Sequence, residues 1–594
     1  MRLAERTLQL RQTWGGFHCR ASVTQAAALG YEGFRRTLGI ELHDVQVHAA
    51  LLLTRKCIAE MQTGEGKTYT AGLAAFVCAF QGGGVHVATT NAYLAERDAR
   101  EVSPVLEQLG ITVGILPDIH DEQRKLSAYR CDVTYGTGCD FGFDYLRDQV
   151  RLRAQFRQRL GTDFLGRLLN GRRSGIACLQ PSRGVALVDE ADCVLIDEAA
   201  MPLVLSGAVP RRVSLELYRT ANATAADLVA DNDYILDPAT RSIRFSEAGW
   251  VRLHAPLRNS AVTGLAMPWA DYVESSLRAL HCLQRDVDYV VVDDQVHIVD
   301  PNTGRVHEER SWRGGLHQAV ECKEGVPLSQ ERMTDGQISR QRFFRLYDQV
   351  AGLTGTATGN ERELDEFYGL SVNVVPPHRP PQRKQLADRV FLTDDQRDAA
   401  LAADARDRQA AAQPVLIGTQ TIEHSRRISE RLRQAGVVHE VLNGLQDRAE
   451  ADIIARAGRS GSVTVATSMA GRGTDIRLDS DAVAAGGLFV AGASHHLSPR
   501  VDRQLAGRCA RQGQPGVCRF YSALTDPLLV YAGERLQADV KRSMGDDGES
   551  VRDYTEVLRQ RQRDYEKESF EKRRAMVRRD QWMDQVLESL VKEG

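Results

Sequence analysis

Residues 57–68 read CIAEMQTGEGKT, and this stretch decides the fold. The short apolar run before the glycines predicts a strand, and the residues from Lys67 onward predict a helix. Gly64 and Gly66 let backbone N–H groups close around phosphate oxygens. Lys67 can reach the β and γ phosphates, and the Thr68 hydroxyl can hold Mg²⁺. The stretch therefore predicts a loop that binds ATP together with Mg²⁺.

Three further residues complete the predicted nucleotide contacts. Thr63 and Glu65 lie within the loop, which has Met61 where loops of this kind usually have their first glycine. Gln46, upstream in the string HDVQV, suits adenine recognition because its amide can both donate and accept hydrogen bonds. An ordinary polar residue of a helix is the alternative interpretation of Gln46.

A second string supplies carboxylates. VALVDEAD ends at Asp192, and its apolar half predicts a buried strand. Carboxylates that follow such a strand lie at the carboxyl edge of a parallel sheet, where these folds bind ligands. We expect Asp189 to hold the water shell of Mg²⁺, and Glu190 to orient and deprotonate the attacking water.

Two later strings offer basic residues for the same reaction. TSMAGRGTD contains Arg472 and Asp475, and QLAGRCARQG contains Arg508 and Arg511. Phosphoryl transfer gains most of its rate from charge stabilisation, which arginines of a facing domain can complete. The spacing of Arg508 and Arg511 predicts that both lie on one face of a helix. For any single arginine, a surface ion pair is the alternative.

Strands alternate with helices twice along the chain, first from CIAEM to GVALVDEAD and again from PVLIGTQ to GVCRFYSA. This alternation predicts an α/β fold with two parallel-sheet domains. Together with the predicted ATP-binding loop and the arginines, it indicates RecA-like motor domains. The strings DYILD, SIRFS and DYVVVDDQVHIVD between them predict an inserted α+β module. The last stretch lacks Gly and Pro from Glu549 to Glu593 and predicts one long helix or a broken pair. The expected boundaries are 1–205 and 300–380 for the two segments of the first motor domain, 206–299 for the insertion, 381–535 for the second motor domain and 536–594 for the helical segment.

Composition excludes several classes of protein. The 594 residues include 76 Lys plus Arg against 79 Asp plus Glu, a net charge of −3, which disfavours a protein that binds nucleic acid through its phosphates. No apolar stretch approaches the roughly 18 residues of a membrane span. The 11 cysteines contain no CxxC pair and indicate neither a zinc site nor a disulfide framework. The first residues, MRLAERTLQLRQTW, do not resemble a signal peptide, so we expect a cytoplasmic protein.

The insertion distinguishes a protein motor from a helicase. In an ordinary DEAD-box helicase the coupling motif follows the Asp-Glu pair closely, whereas here a whole domain separates Asp192 from GLTGTA at Thr354. Five strings closely resemble the SecA preprotein translocase ATPases, over about residues 38–526. They are RKCIAEMQTGEGKT, YGTGCDFGFDYLRD, VDEADCVLIDEA, GLHQAVECKEG and MAGRGTD.

The resemblance implies a function and a set of partners. SecA proteins are ATP-driven motors that export preproteins through the SecYEG channel, working at the inner face of the cell membrane. Their inserted module is the preprotein cross-linking domain, which implies that residues 206–299 bind unfolded preproteins. The resemblance also implies a homodimer or a full-length SecA as further partners, and it implies no nucleic acid.

The sequence also departs from that family. The insertion is shorter than usual, and the sequence includes no counterpart of the two-helix finger, the helical wing or the zinc-binding tail. Ala200 and Met201 stand in place of Arg-Thr, Ala510 in place of Gly and Gln514 in place of Asp. Two interpretations stay open: a short, accessory-type SecA that translocates protein, or a regulatory ATPase that no longer does. A superfamily 2 RNA helicase is a distant third.

Overall fold

The computed structural model describes most of the chain. The described residues are 3–117, 121–152, 178–208, 214–237, 242–254, 265, 267–299, 306–307, 311–312, 314–329, 332–442, 453–454, 456–467 and 475–593.

A seven-stranded parallel sheet forms the first motor domain. Its strands are β1 (Cys57–Glu60), β2 (Val85–Thr89), β3 (Val113–Ile115), β4 (Val133–Thr137), β5 (Val185–Asp189), β13 (Gln349–Thr354) and β14 (Ser371–Val374). Their order is β14-β1-β13-β5-β2-β4-β3, with every adjacent pair parallel. Separate apolar cores cover the two faces of the sheet, as a parallel sheet requires. The α/β prediction is therefore confirmed for this domain.

Helices cover both faces. They are α1 (Leu3–Gln12), α2 (Arg20–Leu38), α3 (Asp44–Leu52), α4 (Lys67–Cys78), α5 (Ala92–Gln108), α6 (Glu122–Tyr129), α7 (described for 138–152), α12 (Arg340–Phe344) and α13 (Glu361–Tyr368). Because β1, β5 and β13 are neighbours in a parallel sheet, the residues that follow their carboxyl ends meet at one edge.

The second motor domain repeats this plan. Its strands are β15 (Gln382–Gln385), β16 (Arg389–Phe391), β17 (Val415–Thr419), β18 (Glu440–Leu442), β19 (Val463–Thr467), β20 (Leu488–Gly492) and β21 (Pro515–Ala523). The sheet order is β15-β21-β20-β17-β19-β18, with β16 also paired to β21, and all pairs are parallel. Its helices are α14 (Asp394–Ala410), α15 (Ile422–Gln434), α16 (Ser480–Ala484), α17 (Pro499–Ala506), α18 (Pro527–Tyr531) and α19 (Glu534–Arg542). The second α/β domain is thus also confirmed.

An antiparallel ladder delimits the inserted module. Strand β6 (Leu203–Ala208) pairs with β12 (Arg332–Ile338), so the chain leaves and re-enters the first motor domain side by side. Between them lie α8 (Leu215–Asp227), β7 (Tyr234–Asp237), β8 (Ser242–Phe245), α9 (Glu247–Leu253), α10 (Trp269–His281), β9 (Tyr289–Val292), β10 (Gln295–Val299), β11 (Val306–His307) and α11 (Leu316–Glu324). Helix α11 shares one apolar core with α8 and α10. The module therefore extends beyond Val299, the end that the sequence predicts for it.

A single helix, α20 (Thr555–Glu593), follows the second motor domain and contacts both domains. Gln562 donates to the His496 carbonyl of the second domain at 2.6 Å. Arg573 pairs with Glu363 of the first domain at 2.6 Å. Across the described residues, no helix combines the length and apolar character that a bilayer span requires.

Candidate nucleotide-binding site between the motor domains

The glycine-rich loop joins β1 to α4. Gly64 and Gly66 have φ values of 89° and 79°, a left-handed conformation that favours glycine. At Gly66 a Cβ atom would also lie 2.2 Å from Nε2 of Gln46. The loop turns sharply there and presents the N-terminus of α4, which begins at Lys67, to the cleft. Backbone N–H groups at a helix N-terminus bind anionic groups.

Lys67 and Glu190 form an ion pair at the centre of the site. Lys67 Nζ lies 2.6 Å from Glu190 Oε1, and the two side chains are 10% and 7% exposed. Burial alone lowers the pKa of Lys67, but the Glu190 and Asp189 carboxylates outweigh it and raise that pKa. These carboxylates therefore favour the charged form of Lys67. Glu190 has a φ of 52°, and its N–H donates to Asp189 Oδ1 at 2.9 Å. This turn after β5 aims Glu190 at Lys67.

Oxygen atoms gather beside this pair. Asp189 lies at the end of β5, and burial raises its pKa to about 7; Lys67 opposes that rise and Glu190 adds to it. The Thr68 hydroxyl donates to Asp98 Oδ1 at 3.2 Å. A hydroxyl and buried carboxylates suit Mg²⁺, which prefers oxygen ligands and retains several waters and phosphates. Among the described residues, no three His, Cys, Asp or Glu side chains converge on a metal position, and an ion shared with phosphates does not require such a group.

A cleft of about 410 Å³ separates this site from the second motor domain. It is lined from one side by Thr63, Gly64, Gly66, Lys67, Thr68, Asp189 and Glu190, and from the other by Asp475, Gln504, Arg508 and Arg511. The loop touches the facing domain directly, because Thr63 Oγ1 donates to the Gly507 carbonyl at 2.5 Å. The structure thus brings together predicted residues that are hundreds of positions apart in sequence.

The two arginines reach the cleft from a turn and not from the helix that their spacing predicts. Helix α17 ends at Ala506, so Arg508 and Arg511 lie in the turn beyond it and not on one helical face. Ala510 in that turn has a φ of 57°. Arg511 Nη1 pairs with Asp475 Oδ1 at 2.8 Å. Arg472 lies outside the described residues.

Gln46 is engaged with the protein at both ends of its amide. It is buried, accepts from the His43 N–H at 2.8 Å and donates to the Glu65 carbonyl at 3.0 Å. It thereby connects the start of α3 to the loop, and its contact with adenine stays a prediction. The Glu65 carboxylate accepts from the His378 N–H at 3.0 Å, which places it against the interdomain connection.

A buried contact between the domains involves a residue that no sequence motif predicts. Arg500 of α17 is 1% exposed and donates to Asp192 at 3.2 Å and to Asp197 at 2.8 Å. Asp192 also accepts from Thr356, of the GLTGTA string, at 2.7 Å and from Gln504. A signal was present, because Arg500 precedes Gln504 by one helical turn and shares its face. A local pattern does not show, however, which domain that face meets.

Family models match most of the chain. The SecA DEAD-like domain matches residues 1–365, and the SecA P-loop domain matches residues 380–484 and 478–548. The protein translocase subunit SecA of Methylococcus capsulatus is 39% identical over 97% of this chain and 66% of that protein. SecA of Acidithiobacillus ferrooxidans is 38% identical over 94% of this chain and 64% of its own length. The chain thus spans slightly less than two thirds of these relatives.

Solved structures include S. cerevisiae Dbp5 bound to RNA and ADP BeF3, which is 14% identical and covers 86% of this chain and 92% of its own. Its TM-score is 0.41, and the fold assignment rests instead on the two parallel sheets. The glycine-rich loop, the Asp-Glu pair after β5 and the arginine turn lie within the regions that the two SecA models match. The chain belongs to the SecA family of P-loop ATPases.

Proposed function

We propose that this chain is an ATP-driven protein translocase motor that moves unfolded preproteins through or towards the SecYEG channel. One observation carries the proposal: the nucleotide site and the inserted module both contact the second motor domain in the same arrangement of the domains. The cleft sets Lys67 and Glu190 opposite Arg508 and Arg511, while the insertion rests on the same second motor domain. Hydrolysis in the cleft can therefore be coupled to polypeptide that is held beside the inserted module.

The hydrolytic step follows from the charges in the cleft. Glu190 accepts a proton from water as the water oxygen attacks the γ phosphorus and the bond to the β-phosphate oxygen breaks. Lys67 has three N–H donors and can hold phosphate oxygens while it keeps Glu190 in place. Arg508 and Arg511 stabilise charge on the transferred group. Thr68 and Asp189 would hold Mg²⁺, which neutralises phosphate charge when bound.

The insertion contacts the second motor domain through a small mixed surface. Val290 and Val299 of β9 and β10 pack on Ile422 at the start of α15. Asp286 pairs with Arg426, one turn further along that helix, at 2.9 Å. A polypeptide that binds between the module and this domain shifts their equilibrium only by its differential affinity for the two arrangements. A ~10-fold stimulation of hydrolysis needs about 1.4 kcal/mol of such preference, which a few apolar side chains can supply.

The partners and location follow from the same proposal. Unfolded preproteins are the proposed substrates, and SecYEG at the inner face of the cell membrane is the proposed channel; the relatives are named protein translocase subunits. A homodimer or a full-length SecA would be a further partner in the cytoplasm. RNA is not a partner, since a net charge of −3 gives no general attraction to phosphates.

The test compares ATP turnover with an unfolded preprotein, with SecYEG membranes plus preprotein, and with single-stranded RNA. Two chains are used: the intact one and one with residues 209–331 replaced by a short Gly/Ser linker. The β6–β12 ladder is retained in the second chain, so its ends already lie side by side. We expect stimulation by preprotein in the intact chain alone. RNA stimulation that survives the replacement would indicate a helicase, and no response to any addition would indicate the regulatory ATPase.

A further inference from the structure

Two buried cysteines meet behind the arginine turn. Cys509 lies between Arg508 and Ala510, is 3% exposed and donates to the Ala506 carbonyl at 3.2 Å. Cys518 is on β21, is fully buried and belongs to the same apolar core. Cys509 packs over the strand at Gly516, where an added Cβ would lie 2.9 Å from the Cys509 Cβ. Since alternate residues of a strand share a face, Cys518 lies on the face that Cys509 covers.

We propose that Cys509 and Cys518 form an oxidation site, at which a peroxide joins them in a disulfide that slows ATP hydrolysis by displacing the arginine turn. This inference rests on the proposed hydrolytic function for its effect on turnover. The formation of the disulfide itself does not depend on that function.

The surroundings of the pair favour attack by Cys518. Contact with the Cys509 thiol lowers the pKa of the Cys518 thiol; burial opposes this, and the nearby Arg383 lowers it further. The pKa of the Cys509 thiol is raised by the same contact and by burial. A thiolate beside a cation is the reactive form of cysteine.

The reaction balances with hydrogen peroxide as oxidant. The Cys518 thiolate attacks one peroxide oxygen, the O–O bond breaks, and the departing hydroxide takes up a proton to become water, leaving a sulfenic acid. Cys509 then loses its proton and attacks that sulfur. The S–O bond breaks, a second water leaves and the S–S bond forms. The two thiols are oxidised and one peroxide is reduced to two waters.

An exposed edge strand controls access to Cys518. Strand β15 pairs with β21 at the edge of the sheet, and all four of its residues are exposed. Its last residue, Gln385, accepts from Cys518 Sγ at 2.6 Å. A short edge strand with no other strand on its far side opens locally at small cost. Opening of β15, the first strand of the second motor domain, exposes Cys518 to the oxidant.

The disulfide would move the arginines because the turn has little freedom. Ala510 and Gln512 both have positive φ values, 57° and 53°. An S–S bond of ~2 Å is shorter than any contact between two thiols, so closing it draws the turn toward β21. Arg508 directly precedes Cys509, and Arg511 follows it by two residues. Both arginines would therefore be drawn away from the cleft with the turn. A displacement of about 1 Å in such a group can cost ~10²-fold in rate.

The test treats the folded chain with hydrogen peroxide, then blocks free thiols and digests with trypsin. Cleavage after Arg508, Arg511 and Arg519 leaves the fragments CAR and QGQPGVCR, and the expected product is these two joined by a disulfide. Peptide mapping without this linked product would overturn the proposal, whatever the ATPase activity.

Turnover is measured on the same samples before oxidation, after oxidation and after reduction with dithiothreitol. We expect a loss of at least ~10-fold that reduction reverses. Cys509→Ala and Cys518→Ala should keep their activity in peroxide, whereas the control Cys78→Ala, which alters a buried cysteine of α4, should lose it like the unmodified chain. Equal loss in all three variants would overturn the proposal, as would a linked product with unchanged turnover. An inactive reduced chain that still forms the linked product would reject the proposed hydrolytic function and leave the oxidation site standing.

Discussion

The ion pair between Lys67 and Glu190 joins two residues that the reaction uses for different purposes. Lys67 contributes positive charge to the β and γ phosphates, whereas Glu190 contributes a proton acceptor. Their contact at 2.6 Å holds both side chains, which are largely buried, in place. Substituting either residue therefore removes one function and also loosens the other side chain.

We predict that Lys67→Ala and Glu190→Gln both abolish steady-state hydrolysis but differ in ATP affinity. Lys67→Ala should lose affinity, whereas Glu190→Gln should retain ATP because the cation remains. Loss of a general base costs ~10² to 10⁴ in rate. Turnover and equilibrium binding of a fluorescent ATP analogue are the measurements, and turnover within a few-fold of the unmodified chain in either variant contradicts the site assignment.

Arg508→Ala and Arg511→Ala should lower turnover with little loss of nucleotide binding, since arginines of a facing domain act mainly on transition-state charge. In related NTPases such residues contribute ~10³ to 10⁵ in rate. The matched control is Arg519→Ala, which alters an arginine of the same domain that pairs with Asp404. Unchanged rates for both cleft variants would mean that the domains do not close as proposed.

At the scale of elements, His495 connects three segments in the second motor domain. Its ring lies 2.5 Å from Asp502 of α17 and 2.9 Å from Asp388 before β16, and it stacks on Phe520 of β21. Gln562 of α20 donates to the same Asp502. Burial alone lowers the pKa of His495, but the two aspartates outweigh it and raise that pKa to about 10. The buried imidazolium therefore stabilises the junction of α17, α20 and the segment between β15 and β16.

This charge predicts a pH dependence of stability. A histidine whose pKa is raised on folding contributes its full stabilisation below about pH 6.5, the value in the unfolded chain, and loses it as pH rises through 10. The free energy of unfolding should fall across that range. His495→Gln should lower it at pH 6.5 by about 3 to 5 kcal/mol, the usual cost of breaking a buried ion pair, and should flatten the profile.

Urea unfolding at pH 6.5, 8 and 9.5 measures this effect. His439→Gln is the control, because that ring contacts Ser429 and the Val437 carbonyl of the same domain. If His495→Gln and the unmodified chain keep parallel profiles, the charge on His495 does not stabilise the fold.

Sequence predicted the elements better than their ends. Strands such as β5 and β17 are continuous apolar runs, which the interior of a parallel sheet requires, and they were identified correctly. The helix proposed to carry Arg508 and Arg511 ends before them, at Ala506, with Gly507 as its cap. That glycine was visible in the sequence, and glycine often marks the end of a helix. The spacing of Arg508 and Arg511 places them on one face only where a helix continues, and Gly507 ends this one.

The sequence predicts the two sides of the candidate site separately, one from each motor domain. Loop residues, carboxylates and arginines each follow a strand or helix with a local signature, and the cleft brings them together. The contact of Arg500 with Asp192 and Asp197 was not predictable, because it depends on how two domains pack and not on any local pattern. The end of the insertion is not predictable from sequence because α11 resembles any amphipathic helix, and only its packing assigns it to the module.

For the whole molecule, the contact between the insertion and α15 predicts how polypeptide acts on the motor. Arg426→Glu places a negative charge opposite Asp286 and weakens the docked arrangement. Exposed pairs contribute up to about 1 kcal/mol, so half-maximal stimulation should require a few-fold more unfolded preprotein. Arg433→Glu, on the same helix and next to Glu430, is the matched control. An ATPase titration in which both variants respond alike would contradict this coupling.

The strand order of the first sheet has a consequence for synthesis of the chain on the ribosome. β1 carries the glycine-rich loop and lies between β13 and β14, which are translated roughly 300 residues after it. The inserted module has its own core and is complete before either of those strands emerges. At ~5 to 20 residues per second, the loop waits tens of seconds for its neighbouring strands. A nascent chain that has emerged from the ribosome only as far as Gln349 should thus contain a folded inserted module and bind no ATP. The module that we propose to bind polypeptide would therefore fold before the ATP-binding site.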